Sequence, residues 1–384
     1  MGWFDYVWLG VQAVFQGPEL FAFFGIGISV TLVMILLGFL LGVAVGATPG
    51  LAGPMAMAIS LPILISIFGF SSDALLPVMS FLIGIMKGAT VGGAVSAILF
   101  NTPGTPDAYM TTLDGYPLAQ KGQANKALRV AHFSSAAGDT FPDVVLILCA
   151  PFLAVVVERY LDLPEKTALL ILSLAFIAAV IGGSVGKGLI SLGLGLLVAY
   201  VGTGEDFYPR LSMGTETLAR GFPVVAVVLG VLFLGEVFRS LEDLCHHTRS
   251  GEKPVVVPQS GDQKLHWADI RRLLPFISRS AMIGTVIGAL PSIGSTLAAT
   301  LGYTSGAAMH ARRGGSPAFG EGAPEGIAAT EAANSPVSGA NLIPVLSLGI
   351  PGNAAAVFLI HAADTIGGFN PGPSVARSCA RWAS

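Results

Sequence analysis

Apolar runs of about 20 residues, enough to cross roughly 30 Å of hydrocarbon, alternate along this chain with short polar or Gly/Pro-marked breaks. Residues 21–45 are uninterrupted and predict a spanning helix. Residues 51–70 follow Pro49-Gly50 and contain Pro54 and Pro62, which fits a short span or a re-entrant hairpin. Residues 75–100 are long enough, with Lys87 at their middle and Gly88, Gly92 and Gly93 behind it. Further spans are expected at 143–157, 167–181, 188–202, 222–238, 277–301 and 337–363, the last two with internal Pro and Gly.

Three polar stretches separate these runs: 101–140, 239–272 and 310–331. Within the first, 124–133 reads as a surface helix. The second carries Arg239, Arg249, Lys253, Lys264, Arg271 and Arg272 and is expected on the cytoplasmic side. The first 20 residues lack the cationic start of a cleaved leader. Their Trp3, Phe4, Tyr6, Trp8 and Phe15 suit an interfacial anchor.

Composition sharpens this into a class. Charged residues are 11% of the 384, against about 25% in soluble domains. Hydrophobic residues are 53%, and the mean hydropathy is +0.73. So much apolar surface needs a lipid bilayer as solvent. The expected fold is an all-α integral membrane protein, a polytopic bundle with broken or re-entrant helices. A net charge of −3 without a basic stripe excludes a nucleic-acid partner. The three cysteines and six histidines show no metal spacing, and no phosphate-binding loop or nucleophile elbow is present.

Two breaks recur in order. GATPGLAG at 46–53 is echoed by GALPSIGS at 288–295, and FNTPGTP at 100–106 by LGIPGNA at 348–354. Duplication predicts a first transmembrane repeat over 21–238 and a second over 273–373, joined by the polar loop 239–272. Each repeat would hold a half-site, at 46–54 with 101–106 and at 288–296 with 351–353. Such interruptions leave backbone N–H groups unpaired at one new end and carbonyls at the other. At membrane depth they persist where they line a cavity, N–H ends suiting anions and carbonyl ends cations. Paired interruptions in two halves point to a secondary transporter site.

Side chains at these breaks are candidate ligands. Asn101, Thr102 and Thr105 add donors and acceptors, Pro103 stops the helix, and Gly104 lets the backbone approach a ligand. Pro351, Gly352 and Asn353 offer a similar set, and Ser292 and Ser295 follow the break at Pro291. Lys87 is costly within an apolar run. It suits a substrate carboxylate or an acid partner, for which Glu331 is the candidate, unless 75–100 is two elements meeting at a wet junction. Asp114-Gly115 reads as a structural turn.

The segments at 46–53, 88–128, 319–334 and 341–357, with NTPGT, LDGYP-x-A-x-KG, EAAN and LGIPG, resemble the large membrane subunit of the tripartite tricarboxylate transporters, the TctA family. The likeness runs from about 42 to 373. It implies an inner-membrane, multi-pass permease that takes up small di- or tricarboxylates such as citrate. It further implies a small membrane subunit (TctB-like), a periplasmic binding protein (TctC-like) and an elevator-like inverted repeat. No cofactor is implied beyond a coupling ion, sodium or proton. The resemblance places Gly50, Asn101, Thr102, Pro103 and Gly104 at one half-site and Asn334, Pro351 and Gly352 at the other.

The chain departs from the family pattern at Pro291-Ser292, where Pro-Gly is usual, and at Asn334-Ser335, where Asn-Asn is usual. Its end, 374–384, reads as an aberrant tail where relatives continue with further spans, so a truncated and non-functional copy is one expectation. Two other classes compete with the permease. An intramembrane enzyme on a lipid-linked substrate would use Lys87, Asp114 and Glu331, and a structural scaffold would tolerate polar changes at both breaks.

Overall fold

The computed structural model describes residues 3–15, 19–23, 26–48, 51–160, 185–202, 263–290 and 294–366, with a few isolated positions between 168 and 241. Two compact units divide the chain, one of Met1–Asp162 with His247–Ser384 and the other of Leu163–His246. The described part of the second is chiefly one apolar helix, α7 (Val185–Tyr200), which matches the run expected at 188–202. The expected spans at 167–181 and 222–238, the loop up to 262 and the tail at 374–384 lie outside the continuously described residues.

The larger unit begins with α1 (Trp3–Phe15) and a short antiparallel hairpin, β1 (Glu19–Phe23) and β2 (Ile26–Ser29). This hairpin is an exception to an all-helical chain and takes up the first third of the run at 21–45. Gly25 and Gly27 weaken helix there. Ser29 then caps α2 (Val30–Ala47), its hydroxyl accepting from the Thr31 N–H at 3.2 Å.

After the Pro49-Gly50 break comes α3 (Gly53–Phe68), a single helix that keeps Pro62 inside it rather than a hairpin. Next is α4 (Ser72–Phe100), continuous through Lys87, so there is no wet junction. Asn101 ends α4 in the left-handed region at φ 55°. A 3₁₀ turn (Pro106–Ala108) leads into α5 (Tyr109–Leu118), which contains Asp114-Gly115 as helix, not as a turn.

The expected surface helix at 124–133 is instead the start of α6 (Ala124–Tyr160), which also holds the span expected at 143–157. Ala127, Val130 and Ala131 are fully buried there and pack with Leu273, Ile277, Ile327 and Ala328. The 277–301 run splits into α8 (Trp267–Ala289) and α9 (Ser295–Arg312). Arg271 and Arg272 belong to α8, not to the loop. The 337–363 run becomes the ends of α10 (Pro324–Ala340), all of α11 (Leu342–Leu348) and most of α12 (Ala354–Thr365).

Element order recurs along the unit. Each half runs helix, break, helix, helix, break, helix start, with α11 as an additional short helix before the second break of the second half. Ala47 and Ala289 end corresponding helices, and Gly53 and Ser295 begin the next, in both cases 242 residues apart. Phe100 and Leu348 end the elements before the second break, 248 apart.

Among the described residues, α2 and α4 are long and apolar enough to cross a membrane. They meet backbone to backbone. Gly38, Gly42 and Gly46 lie four apart on α2, and Gly84, Gly88 and Gly92 four apart on α4. A methyl on Gly42 would strike the Ile85 carbonyl, and one on Gly88 the Phe39 carbonyl; the other four meet backbone in the same way. This is the small-residue packing that lipid-embedded helices use, where no hydrophobic drive separates helix from lipid. The opposite face of α2 shows Leu36, Leu37 and Leu40, all exposed.

The middle of α10 is packed by the same device. Ala329, Ala332 and Ala333 of α10 face Gly302 and Gly306 of α9, Gly284 of α8 and Gly138 of α6. All of α10 from Glu325 to Ala340 is buried.

Replacing Gly42 by Leu should therefore destabilise the chain by about 3 kcal/mol or more, because the clash is with backbone that cannot rotate away. Leu40→Ala, on the exposed face, should be near neutral. Thermal unfolding in one detergent compares the two, and equal melting temperatures would refute the backbone contact.

Candidate carboxylate site

Helices α3, α9 and α12 each begin at one cavity of about 290 Å³. Ala52, Gly53 and Pro54 supply the start of α3, Gly294 and Ser295 that of α9, and Asn353, Ala354 and Ala355 that of α12. The first N–H groups of a helix have no partner within it. No side chain caps α9, and at α3 the Ala52 N–H donates to Met55 Sδ at 3.3 Å. Asn353 caps α12, accepting from the Ala356 N–H at 2.9 Å. Three positive helix ends thus face one space, near the lower end of the roughly 300–1,000 Å³ usual for small-ligand sites.

The remaining wall is α4 (Met86, Ala89, Thr90), the turn (Thr105, Pro106, Asp107) and α10 (Asn334, Val337, Ser338). Two polar side chains in it are buried without partners. Asn334 is 1% exposed, and neither its amide nitrogen nor its oxygen is hydrogen-bonded. The Thr105 hydroxyl, in a residue 8% exposed, is likewise unpaired. Buried polar groups are normally satisfied, so each such orphan needs a reason. A ligand in the cavity supplies one.

Local structure puts Thr105 there. Its side chain lies against Gly93, where a methyl would meet the Thr105 Oγ1. The Gly104 N–H donates to the Gly93 carbonyl at 3.4 Å, and a methyl on Gly104 would strike the Gly46 carbonyl. The second break is therefore folded onto the first through positions where only glycine fits.

Not every expected ligand reaches the cavity. Thr105, Ser295, Asn334 and Asn353 line it. Asn101 and Thr102 do not: both are exposed, and the Thr102 hydroxyl donates to the Phe100 carbonyl at 3.2 Å. Their work is to end α4. Pro103 and Gly104 shape the turn behind Thr105, and Pro351 and Gly352 shape the approach to α12, with Gly352 packed on Asn341. Gly50 and Ser292 lie outside the described residues.

Lys87 does not line this cavity and is not the partner of Glu331. Its ammonium sits 2.7 Å from Asp139 Oδ2 and 3.0 Å from Asp143 Oδ1. These aspartates are one turn apart on α6, so both reach the same point across α4. The signal was present in the sequence as two acids four residues apart beside an apolar run.

Glu331, inside α10 and fully buried, accepts from the Thr111 hydroxyl at 2.5 Å and the Ser135 hydroxyl at 2.9 Å. Ser338, two turns along α10, donates to Asp139 Oδ1 at 3.4 Å and to the Ser335 carbonyl at 2.8 Å. One face of α10 thus carries Glu331, Asn334 and Ser338 in line.

The N-terminal end of α10 is fixed by charge. Asp114 Oδ1 accepts from the N–H groups of Gly320, Gly322 and Ala323 at 2.9, 2.9 and 2.8 Å. Arg272 pairs with buried Glu325. Asp114 was legible as polar but not as a buried clamp, because its three donors lie more than 200 residues away.

Removing the Lys87 ammonium alone should be worse than removing the pair. Lys87→Met should cost on the order of 2–3 kcal/mol, below the usual figure for a buried pair because Asp143 is 46% exposed. Adding Asp139→Asn should recover about half of it. A double-mutant cycle on unfolding measures this, and strict additivity would rule the pairing out.

The family model described as "Tripartite tricarboxylate transporter TctA family" matches residues 32–382. A protein of Agrobacterium vitis, "Uncharacterized 52.8 kDa protein in TAR-I ttuC' 3'region", is 34% identical over 354 residues, 91% of this chain and 66% of that protein. A second from the same organism, "Uncharacterized protein in TAR-II ttuC' 3'region", is 38% identical over 96 residues, 25% of this chain and 38% of its own length. The chain thus spans just under two thirds of the longer-matching relative. No solved structure matches. With the match extending over most of its length, the chain belongs to the tripartite tricarboxylate transporter TctA family.

Proposed function

We propose that this chain is the permease of a tripartite secondary transporter and holds a small di- or tricarboxylate in the cavity between α3, α9 and α12. The observation that carries this reading is the convergence of three helix N-termini on a space walled by the unpaired Asn334 amide and Thr105 hydroxyl. N–H groups and positive dipole ends suit carboxylate oxygens, which accept and never donate. Breaks in corresponding places of two recurring halves fit a transporter site at the meeting of repeats.

Family membership supports the same reading of the rest of the assembly. A periplasmic binding protein delivers the acid, a small membrane subunit accompanies the permease, and a sodium or proton gradient drives uptake. The chain sits in the bacterial inner membrane. The recurring halves form an inverted repeat, and one block moves against the other in an elevator-like step. Sodium or a proton enters as coupling ion, and no further cofactor is needed. Lys87, neutralised by its two aspartates, steadies α4 against α6 rather than meeting substrate.

Uptake of labelled citrate into vesicles tests this, with the chain, its small subunit and its binding protein present under an inward sodium or proton gradient. Accumulation is expected, and Asn334→Leu should lower it at least about tenfold, since a buried amide making charge-assisted bonds is lost. Accumulation that Asn334→Leu leaves intact would remove the cavity from the pathway.

A further inference from the structure

The outward face of α8 changes character along its length. Its first turns expose Trp267 and Arg271, with the Arg271 guanidinium over the Trp267 ring at 5.8 Å. Beyond them Leu274, Met282 and Val286 are exposed, at spacings that keep them on one side of the helix. An aromatic ring and a cation followed by apolar side chains mark where headgroups give way to hydrocarbon. The polar stretch expected on the cytoplasmic side ends at this place, at Arg272.

At the edge of that face three guanidiniums stand in a row. Arg272, Phe276 and Arg279 follow one another at spacings of four and three, and so share one side of α8. Arg313, just past the end of α9, lays its guanidinium over the Phe276 ring at 5.9 Å and enters the row there. Arg272 Nη2 donates to the Ser316 carbonyl at 3.3 Å, which holds the end of α9 against α8. All three arginines are exposed. Helical side chains lean toward the N-terminus, so the head of Arg279 reaches back toward the boundary at Trp267. The acids nearby are already engaged. Glu325 pairs with Arg272, Asp269 pairs with Lys126 at 3.4 Å, and Glu321 accepts from the Ala318 N–H at 3.4 Å. Among the described residues Arg279 and Arg313 have no carboxylate partner. Their charges stand uncompensated beside a lipid-facing surface.

We infer that the row Arg272, Arg313 and Arg279 holds the headgroup phosphate of an anionic phospholipid, whose acyl chains lie along Leu274, Met282 and Val286. Guanidinium forks match phosphate oxygens. Basic clusters beside membrane helices on the cytoplasmic side attract anionic headgroups. A soluble anion would use the charges alone, whereas a lipid also covers the apolar stripe that runs up from the row. The site is separate from the cavity, since α9 meets the cavity at Ser295 and the row at its other end. A lipid bound there ties α8 to the end of α9. Through the segment after Arg313, which Asp114 fixes at Gly320, Gly322 and Ala323, it also steadies the start of α10.

Fluorescently labelled phosphatidylglycerol, titrated into the purified full chain in a maltoside detergent, reads the site. Unlabelled phosphatidylglycerol, phosphatidylcholine and inorganic phosphate serve as competitors. Phosphatidylglycerol should compete about tenfold or more better than phosphatidylcholine, whose headgroup carries its own cation. Inorganic phosphate should not compete at millimolar concentration. Arg279→Gln breaks no hydrogen bond or ion pair among the described residues and should weaken phosphatidylglycerol binding about fivefold, the worth of one arginine near a charged surface. Arg279→Gln with Arg313→Gln should bring the two lipids to about equal affinity. A cooperative unfolding transition shows that each variant is folded, and Arg279→Gln alone keeps the test decisive if the double variant is not. Equal affinities of the two lipids for the wild type overturn the inference, as does an undiminished preference in the folded variants. Displacement by inorganic phosphate as effective as by phosphatidylglycerol assigns the row to a soluble anion and overturns it too. None of these outcomes bears on the carboxylate reading.

Discussion

The close approach of α2 to α4 is the constraint on which the site depends. Six glycines at spacing four bring two backbones together with no side chain between them. The carbonyl of Gly46, at the end of this contact, lies where a methyl on Gly104 would be, so the chain after α4 folds back onto the end of α2. Thr105 then rests on Gly93, and Pro106 and Asp107 stand beside the start of α3 in the cavity wall. A wider separation of α2 and α4 would part the two breaks of this half. The positive end of α3 would then face no common space with Thr105. The site is thus a consequence of helix packing before it is a matter of ligand chemistry.

Charge is distributed to suit. The buried acids among the described residues are held by specific donors, Asp114 by three N–H groups, Glu331 by two hydroxyls and Glu325 by Arg272, and the partly buried Asp139 is held by Lys87. Each tie joins α10, or the turn leading to it, to another element, except that of Asp139, which joins α4 to α6 and reaches α10 through Ser338. Helix α10 is therefore pinned at its start, middle and end. Asn334 falls between these points with nothing assigned to it. Its amide is buried beside the cavity without a hydrogen-bond partner, on a helix that is held firmly along its length.

Much of this could be read in the sequence. Pro49-Gly50, Pro103-Gly104, Pro291 and Pro351-Gly352 each mark the interval between one helix and the next, because proline lacks a donor and glycine admits conformations that end a helix. Thr105, Ser295 and Asn353, which follow those breaks, and Asn334, singled out by the family resemblance, all line the cavity. Other features depend on long-range contact that no local pattern encodes. Lys87 looked equally suited to Glu331 or to substrate, and only the packing of α6 on α4 brings Asp139 and Asp143 to it. Asn101 and Thr102 have the chemistry of ligands but the position of a helix stop. The hairpin at 19–29 was hidden because hydropathy alone does not distinguish a strand from the start of a helix. The polarity of 101–140 concealed α6, whose first turns are buried by alanine and valine rather than by long apolar side chains.

A site made from backbone has a particular relation to its sequence. Helix N-termini bind through N–H groups that every residue except proline possesses, so the identities of Ala52, Ala354 and Ala355 matter little to the dipole they end. What matters is that the helices start where they do and that the walls come close, and these are set by proline and glycine outside the cavity as much as by residues in it. Such a site attracts carboxylates in general and has little means of telling them apart. The few side chains that break the uniformity are the amide of Asn334, the hydroxyl of Thr105 and the carboxylate of Asp107. Since the helix ends already favour negative charge, a negative side chain among them contributes nothing to attraction. Such a carboxylate accepts a hydrogen bond, here from the Thr296 hydroxyl, or balances a cation, and it is not what would hold an anion in place.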